Sequence, residues 1–596
     1  MLPVRPLRLA GCAVLLLAVC GVAGASASNG SDRGHRVTHT SLELVLVGHA
    51  VRAVAPGTSV GARTASAAPA TPGGPYVPVV GAAARRGLGF AAAVSSLAVR
   101  GELPTATATA DVSAWSAART AIRHLHGVRK TELSSVARTL TTIARGGSLT
   151  PARLPQLVLT LQANTQWWTS GPLLSYGQRV GFPGSNLVWE YYPGQGIQLQ
   201  WLGTFGAANG FSDRHDTTDL ASLLSQALSL AVSRAGGIAW EYDFRFDGGS
   251  PQWVSAITQG TAIEALVNAA TLLHNSTYLT DAHEALGIFN SPPPAGIEQS
   301  VQGGSWYLIY SFAPHDYVIN AFIQALIGLY DLAYAGDPAA QQAFARGNAA
   351  AELALPSFNT GAWSMYDQYG ESTLTYHELL MGFLSTLCKQ ESATTAQALW
   401  VLGSGAPSGS TGASGASGAS GTSGTNGTGG TPADASGASG ASGATGASGS
   451  SGTSGASGST GSSGASGPSG SSGATGPTGS SGATGPTAAP AAIYCSTEAA
   501  FAADLKQPPQ LTIPALRVLR VHHVAKVVFT LSKIANVNFA VTLGGVTSSI
   551  DTSLVPHGRH YFVWRPARPG MYTITLSAVD LAGNKAAQTA SVTVAG

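Results

Sequence analysis

The sequence predicts a multidomain, mainly α-helical protein: an (α/α) toroid-type body with a short β-rich portion, followed by a C-terminal β-sandwich. Three observations support this fold class. Apolar residues recur at helical spacing through residues 111–402, where turn residues divide the chain into successive antiparallel helix pairs. The chain then consists of Gly, Ser, Ala and Thr over residues 403–490. Beyond residue 511 the apolar period changes to two, which is typical of strands.

The N-terminal residues have the pattern of a secretory signal peptide. Two arginines precede the apolar run 13–19, and small residues follow as far as Ala27, so we expect removal of residues 1–27. A lipoprotein signal with Cys20 as the lipidated residue is the alternative, although Val19 is large for the position before it. No later uncharged apolar run reaches the roughly 18 to 20 residues that span a bilayer. We therefore expect no transmembrane segment and a secreted, extracellular protein, either free or associated with the cell surface.

Residues 28–110 have few aromatics and no sustained periodicity, and this predicts a flexible leader. Within the body, three helix starts can be identified from N-cap residues, two of them followed by proline: Asp216, Ser250-Pro251 and Asp337-Pro338. Between residues 167 and 200, Gly and Pro interrupt short aromatic pieces, and this favours short strands or loops.

Glycine falls at every third position over residues 412–424 and 437–485, which is the collagen spacing. Prolines are few there, whereas a triple helix needs many. The composition therefore favours a flexible linker over residues 403–490, with a trimeric stalk as the alternative.

Residues 491–596 alternate apolar and polar side chains in short runs separated by turn residues. The ending, from Gly570-Met571-Tyr572 to Asp580-Leu581-Ala582-Gly583-Asn584, resembles the bacterial Ig-like modules found in secreted proteins. Such modules are spacers or adhesive units, so the sequence assigns no chemistry to this one.

Charge and cysteine content limit the partners. The net charge is +2 with 10% charged residues, which gives no basic field for nucleic acid, and we expect no such partner. Two of the four cysteines lie in the signal peptide, which leaves Cys388 and Cys495. These two could pair in an oxidising compartment, but nothing in the sequence brings them together, and separate thiols are the simpler interpretation.

A series of motifs between residues 189 and 387 resembles the C-terminal region of the D-glucuronyl C5-epimerases. These enzymes invert the carboxylate-bearing carbon of a uronic acid within a polysaccharide. The resemblance covers about a third of the chain, and it is the order of the motifs that makes it specific. The motifs are Tyr192-Pro193-Gly194-Gln195-Gly196-Ile197-Gln198, Trp253-Val254-Ser255-Ala256-Ile257-Thr258-Gln259-Gly260, Trp306-Tyr307-Leu308-Ile309-Tyr310, Val318-Ile319-Asn320-Ala321-Phe322, Met365-Tyr366-Asp367 and Thr375-Tyr376-His377.

The resemblance implies a cofactor-free epimerase that acts on a uronic-acid-containing polysaccharide, with a homodimer as a further expectation. Such an enzyme removes a proton from one face of the sugar and returns one to the other. By the resemblance, Tyr366 and Tyr376 form the opposed acid/base pair and Tyr310 assists. The candidate substrate-binding residues are Gln195, Gln198, Gln259, Trp306, Tyr307, Asn320, His377 and Arg179.

The chain departs from the family pattern at two places. The family has an acidic residue immediately before the position of Tyr310, where this chain has Ile309. The family also has an arginine shortly after the position of Tyr366, where this chain has Gln368 and Tyr369. A bound carboxylate would then need Arg179, Arg245 or neutral donors. These losses imply a changed substrate or lost activity.

Structural roles are the alternative for each candidate. Buried tyrosines mostly pack their rings, a lone histidine is more often a satisfied partner, and Asp316 and Asp367 could simply brace loops. His283 and Glu284 have no third ligand nearby in sequence, so no metal site is expected. Two other functions stay open: a polysaccharide lyase that ends in β-elimination, and a non-catalytic glycan-binding or cell-surface protein.

Overall fold

The structure is a computed structural model that describes residues 43–47, 50–54, 83–392 and 490–596. The expected signal peptide and the Gly-rich segment up to residue 489 lie outside the described residues, so those predictions stay untested. None of the described helices combines the length and the apolar character needed to cross a membrane.

Helices make up most of the body. In chain order they are α1 (Phe90–Val99), α2 (Thr105–His124), α3 (Gly127–Gly146), α4 (Leu154–Ser170), α5 (Trp201–Asp213), α6 (Thr217–Ser229), α7 (Ala256–Leu272), α8 (Thr277–Glu284), α9 (Ile319–Tyr334), α10 (Pro338–Ala354) and α11 (Leu374–Ser392), with short 3-10 helices at Gly287–Asn290 and Leu355–Phe358.

Two of the three expected helix starts are confirmed. The Asp216 side chain accepts a hydrogen bond from the Asp219 N–H at the start of α6, and Asp337 caps α10 in the same way. The start at Ser250-Pro251 is wrong, because this segment pairs with an earlier one and α7 begins only at Ala256. Long-range pairing therefore overrides the local capping signal here.

The β-rich portion consists of short strands between the helices. A five-stranded sheet has the order β2-β1-β3-β4-β5, in which β1 pairs in parallel with β3 and the other neighbours are antiparallel. The β-rich portion also contains two separate hairpins, β6-β7 and β8-β9. The strands are β1 (Glu43–Val47), β2 (Ala50–Val54), β3 (Arg179–Gly181), β4 (Trp189–Tyr192), β5 (Gly196–Leu199), β6 (Val232–Arg234), β7 (Gly237–Ala239), β8 (Glu298–Val301) and β9 (Gly304–Tyr307).

The structure differs from the flexible leader expected over residues 28–110. Strands β1 and β2 belong to the body's sheet, and α1 buries Phe90, Val94 and Leu97 in the main core. The Phe90 ring packs against Trp115 of α2 with their centroids 5.0 Å apart. The alanine-rich composition makes the helical pattern of this segment hard to recognise in the sequence, since alanine occurs in close-packed helices as readily as in flexible segments.

Helices α7 and α9 cross at close range in the centre of the body. A Cβ atom on Gly328 would lie 2.0 Å from the carbonyl oxygen of Gly260, so only glycine permits this approach. Helix α9 is buried along nearly its whole length. The crossing fixes the N-terminus of α9, where Asn320 and the loop before it face the candidate site.

The C-terminal part begins with a helix and continues as two sheets. Helix α12 (Pro490–Asp504) precedes β10 (Leu511–Thr512), β11 (Leu519–Arg520), β12 (Ala525–Leu531), β13 (Ala535–Leu543), β14 (Val546–Val555), β15 (Gly558–Trp564), β16 (Gly570–Asp580) and β17 (Lys585–Ala595). The sheets have the orders β10-β12-β15 and β11-β17-β16-β13-β14, and side chains from both form one core. The Ig-like assignment and the toroid arrangement of the body stay predictions.

Helix α12 packs on α11, and a disulfide joins the two helices. Cys388 and Cys495 are bonded, with their Cα atoms 4.9 Å apart. The interpretation as separate thiols is therefore wrong, because helix packing across the Gly-rich segment brings the two residues together. Tyr494 strengthens the contact by donating a hydrogen bond to the amide oxygen of Asn348 in α10.

A buried histidine makes a second connection between α11 and α12. The Ser364 N–H donates to His377 Nδ1 (3.2 Å), so Nε2 carries the proton and donates it to the Phe501 carbonyl (3.1 Å). Burial lowers the pKa of His377 to about 4, with a further lowering by Lys533 and an opposing effect of the Phe501 carbonyl. His377 is therefore neutral at physiological pH.

Lys533 lies at the same junction, and it is 1% exposed. Its ammonium group pairs with Asp580 at 2.7 Å, donates to the Asp504 carbonyl at 2.7 Å, and lies 5.4 Å from the centre of the Trp363 ring. Because a buried ammonium group needs several acceptors, this arrangement fixes the β12-β13 turn against the end of α12.

Glu371 connects the body directly to the C-terminal sheets. Its carboxylate accepts hydrogen bonds from the backbone N–H groups of Ile534 (3.0 Å) and His557 (2.7 Å), and the His557 ring lies 3.1 Å away. These acceptors hold two turns of the C-terminal sheets against the loop that precedes α11.

We expect the disulfide to stabilise the docking of α12 substantially. It closes a loop with a sequence separation of 107 residues, for which loop entropy predicts about 5 kcal/mol. The double variant Cys388→Ala with Cys495→Ala should therefore unfold at lower temperature and release residues 490–596 to limited proteolysis. Unchanged unfolding and unchanged cleavage would contradict this contribution.

We also expect His377 to make the fold acid-sensitive. Because its folded pKa lies below its unfolded value, its contribution is complete above pH 6.5 and is lost as the pH falls through about 4. The difference corresponds to about 3 kcal/mol. Denaturant titrations at pH 7.5, 5.5 and 4.5 should show a smaller loss of stability for His377→Gln than for the unmodified protein. Parallel pH profiles would overturn this role.

Candidate active site

Two loops that carry Tyr310 and Tyr366 lie next to each other, and Tyr376 lies in the first turn of α11. The first loop, 308–318, follows β9, and the second loop, 359–373, precedes α11. Gln368 of the second loop bridges to the first: its Oε1 accepts from the Tyr317 N–H (3.0 Å) and its Nε2 donates to the His315 carbonyl (2.5 Å). The two loops therefore form one surface, and Gln368 is engaged by backbone groups.

Tyr366 and Tyr376 are in direct ring contact. Their centroids are 4.9 Å apart at an angle of 44°, and the residues are 9% and 5% exposed. The Tyr366 carbonyl accepts from the Ile319 N–H at 3.2 Å, and the Asn320 amide donates to the Tyr376 carbonyl at 3.2 Å. Because rings at this separation touch, no sugar ring fits between them, and the pair lies together rather than on opposite sides of a substrate.

Tyr310 of the first loop belongs to a separate group of aromatic side chains. Its ring stacks on Phe312 at 5.1 Å and packs edge-on against Trp253 at 5.6 Å, with Phe246 at 5.7 Å. We call Tyr192, Phe244, Phe246, Trp253, Tyr310 and Phe312 the aromatic cluster, since successive members are in ring contact.

The two glutamines of the 192–198 motif lie at the edge of this cluster. Gln195 is partly buried, and its Oε1 accepts from the Arg245 N–H at 3.3 Å. Gln198 is buried and donates to the Gln195 carbonyl at 2.5 Å. The Arg245 side chain is exposed, between two residues of the aromatic cluster.

Arg179 lies beside a buried carboxyl group. Its Nε is 3.9 Å from Glu190 Oε2. Burial raises the pKa of Glu190 to about 7, and the opposing effects of Arg179 and Tyr192 keep it from rising further. Arg179 thus acts on an internal acid in the structure.

Three other substrate-binding candidates from the sequence, Gln259, Trp306 and Tyr307, contact other parts of the protein. The Gln259 amide donates to the carbonyls of Ile238 (2.8 Å) and Ala285 (3.0 Å). Trp306 stacks on Phe322 with centroids 4.1 Å apart. Tyr307 donates its hydroxyl proton to the Ala343 carbonyl at 2.6 Å, and burial raises its pKa well above the ordinary value. These contacts position β9 and α7 beneath the loops.

His377, the remaining candidate, lies under the second loop. Its ring stacks on Trp363 at 4.0 Å, and both of its nitrogens are occupied by Ser364 and Phe501. With Glu371 and Lys533 it ties the second loop to α12 and the C-terminal sheets. The C-terminal part, to which the sequence assigned no chemistry, therefore supports the loop that carries Tyr366.

The residues at the two positions that depart from the family pattern are held by contacts within the protein. Ile309 is completely buried, and Gln368 bridges the loops. Arg346 carries the only guanidinium or ammonium group between residues 250 and 377, and it lies beside Glu298 (3.5 Å) and Asn290 (2.7 Å). Arg245 is thus the exposed cation adjacent to the aromatic cluster.

Asp316 of the first loop is a candidate that the sequence treated only as a brace. Burial, together with the charges of Asp367 and Asp247, raises the pKa of its carboxyl group to about 6. A carboxyl group that titrates near neutral pH between two loops can act as an acid or a base. The three aspartates are far apart in sequence, so only the tertiary structure reveals their proximity.

Comparison with known proteins relates this part of the chain to an enzyme family. Residues 235–400 match the family model described as D-glucuronyl C5-epimerase C-terminus. A D-glucuronyl C5-epimerase of Caenorhabditis elegans is 31% identical over 131 residues, which are 20% of this chain and 21% of that protein. An uncharacterised protein of Methanocaldococcus jannaschii is 26% identical over 151 residues, which are 24% of this chain and 49% of that protein. The chain therefore spans half or less of these curated relatives.

A second family model, the collagen triple helix repeat, matches residues 434–492. Nearly all of this match lies outside the described residues, so linker and stalk both stay predictions. The matched segment 235–400, in contrast, contains both loops and all three tyrosines. This segment is similar to the C-terminal region of the D-glucuronyl C5-epimerases.

Proposed function

We propose that this protein is a secreted C5-epimerase-like enzyme that inverts C5 of uronic acid residues in a polysaccharide. The observation that carries the proposal is the family match over residues 235–400, which includes Tyr310, Tyr366 and Tyr376. The disulfide between Cys388 and Cys495 supports an oxidising, extracytoplasmic location.

The reaction needs a base that removes the C5 proton and an acid that returns one to the opposite face. The carboxylate next to C5 stabilises the intermediate negative charge as an enolate. Tyr366 and Tyr376 are the proton-handling pair on one side, where their rings are in contact. A tyrosine pKa of about 10 suits a proton donor at neutral pH better than a base.

Asp316 supplies the complementary group from the first loop. Its pKa of about 6 leaves a large fraction ionised at neutral pH, so it can accept a proton. We place it, with Tyr310 assisting, on the side of the substrate opposite to the tyrosine pair. In this arrangement Asp316 takes the role of the acidic residue that Ile309 replaces.

Arg245 is the cation that best fits the substrate carboxylate. Its side chain is exposed next to Phe246, and its backbone is fixed by Gln195. This guanidinium offers a charge for the carboxylate of a uronate ring, and the aromatic cluster, whose members other than Phe312 are buried, supports the segment that carries it.

We expect both tyrosines to be required for hydrogen exchange at C5. The full chain, incubated in deuterated water with heparosan or another glucuronate polymer, should replace the C5 proton and produce iduronate signals in proton NMR. Tyr366→Phe and Tyr376→Phe should each slow exchange by about 100-fold or more, since each removes a proton-handling group. Tyr334→Phe is the matched control, because that residue is 52% exposed on α9, and it should exchange at the original rate.

The outcomes separate the candidate functions. An ultraviolet-absorbing double bond in the product would identify a lyase instead. Absence of exchange on several uronate polymers, with binding retained, would identify a non-catalytic glycan-binding protein, which the loss of the acidic residue at Ile309 favours. The full chain is needed, because a fragment ending at residue 402 would lack the partners of Glu371, His377 and Cys388.

We expect Asp316→Asn to slow exchange by about 100-fold while leaving the fold intact, since the carboxamide cannot accept the proton. The rate of the unmodified enzyme should fall below pH 6 as Asp316 becomes protonated. Asp367→Asn, in which the amide oxygen can still accept from the Gly370 N–H, is the control at pH 7.5, where it should leave the rate unchanged. Because it removes a charge that raises the pKa of Asp316, it should also move the fall in rate to lower pH. Equal exchange rates for Asp316→Asn and the unmodified enzyme would remove Asp316 from the mechanism.

A further inference from the structure

The C-terminal sheets are strongly basic, although the chain as a whole is nearly neutral. Residues 505–596 contain nine Lys or Arg against two Asp or Glu, whereas the net charge of the chain is +2. One of the two acids, Asp580, is buried and paired with Lys533. The other, Asp551, belongs to β14 in the five-stranded sheet. The excess positive charge therefore lies at the surface without a balancing acid in the three-stranded sheet.

Part of this charge is concentrated on the outer face of the three-stranded sheet. In β12 and β15, Lys526 lies opposite Val563, Val528 opposite Tyr561 and Thr530 opposite Arg559. Opposite residues of an antiparallel pair share a face. Tyr561 and Val563 are each 54% exposed, and the Lys526 ammonium group lies 4.5 Å from the centre of the Tyr561 ring.

The charge continues along the edge strand. Arg565 follows β15 in the same alternation, and its Nε is fixed by a hydrogen bond to the His522 carbonyl at 2.7 Å. From Arg559 to Arg565 an extended strand covers about 20 Å. We call Lys526, Arg559, Tyr561 and Arg565 the basic stripe. It combines three cations with one exposed aromatic ring.

The stripe begins at the docking point with the body. His557, two residues before Arg559, is held by Glu371 of the second loop. A ligand lying along the stripe thus has one end close to the loop that carries Tyr366.

We propose that the basic stripe binds an anionic, uronate-bearing polysaccharide. The three cations would pair with carboxylates along the polymer, and the Tyr561 ring would pack against the face of a sugar. Spaced cations along a strand fit a linear polyanion, because charge attraction over the whole stripe adds contacts that are weak individually. The choice of a polysaccharide over nucleic acid rests on the proposed function of the body.

The test is binding of the full chain to fluorescently labelled hyaluronan and heparosan, with dextran and duplex DNA for comparison. The triple variant Lys526→Gln, Arg559→Gln, Arg565→Gln should weaken binding to both uronate polymers by about tenfold or more. The charge-matched control is Lys506→Gln, Arg517→Gln, Lys585→Gln, whose exposed side chains lie outside the stripe. It should change the affinity less than about twofold.

Tyr561→Ser separates sugar contact from charge alone, and it should weaken polysaccharide binding but not DNA binding. Three results would each overturn the proposal. The two triple variants lose the same affinity, the unmodified chain binds neither uronate polymer, or it binds duplex DNA more tightly than the polysaccharides with an affinity that Tyr561→Ser leaves unchanged. Binding by the Tyr366→Phe variant tests the stripe independently of turnover. Binding without C5 exchange by the unmodified chain would sink the proposed reaction alone. C5 exchange by the unmodified chain, with unchanged binding in the stripe variant, would sink the stripe alone.

Discussion

The carboxylate of Glu371 is the contact on which the arrangement of the candidate site depends. It belongs to the loop between two body elements, yet the N–H groups that it accepts belong to Ile534 and His557 of the C-terminal sheets. A buried carboxylate without donors is strongly unfavourable, so the loop adopts this position only when the sheets are docked. The loop geometry around Tyr366 is therefore a property of the whole chain and not of the helical body alone.

The docking surface uses polar groups where a hydrophobic contact would have been simpler. Lys533, His377 and Glu371 are all buried there, and each contacts a group on the other side of the junction: the Trp363 ring, the Phe501 carbonyl and the Ile534 N–H. Such contacts are poor sources of net stability, because desolvation offsets most of the attraction. They do select one orientation, since any rotation of the sheets against the body leaves a buried charge or donor unmatched. A site assembled from two parts requires that orientation to be unique.

Features that depend on neighbouring residues alone, such as helix caps, could be predicted from the sequence. The Asp216 and Asp337 caps lie where expected, because a side chain that accepts from an N–H three residues ahead needs no distant partner. Ser250 had the same signal and failed, since the Tyr242 and Trp253 backbones pair across it. The Cys388–Cys495 bond and the Glu371 contacts could not be predicted, because they connect parts of the chain on either side of the long Gly-rich segment.

The same distinction between local and long-range contacts applies to the candidate site. The resemblance directed attention to the loops of Tyr310 and Tyr366, because motif order reflects the chain path, and their role in the reaction stays a prediction. It could not indicate that the Tyr366 and Tyr376 rings touch, or that Asp316 lies near Asp247 and Asp367. The first depends on how the second loop packs on α11 and the second on how distant loops approach one another, and no spacing in the sequence encodes either contact.

Ile309 constrains how any proton transfer at this site can work. The residue is fully buried between Leu308 and Tyr310, which are also buried, so its position is part of the apolar core. A carboxylate placed there would need donors that the present packing does not supply, and its burial would cost several kcal/mol. Substituting an acidic residue for Ile309 would therefore change the packing of the core as well as the chemistry of the site. The carboxyl group of this loop is instead that of Asp316, which lies in its more exposed part.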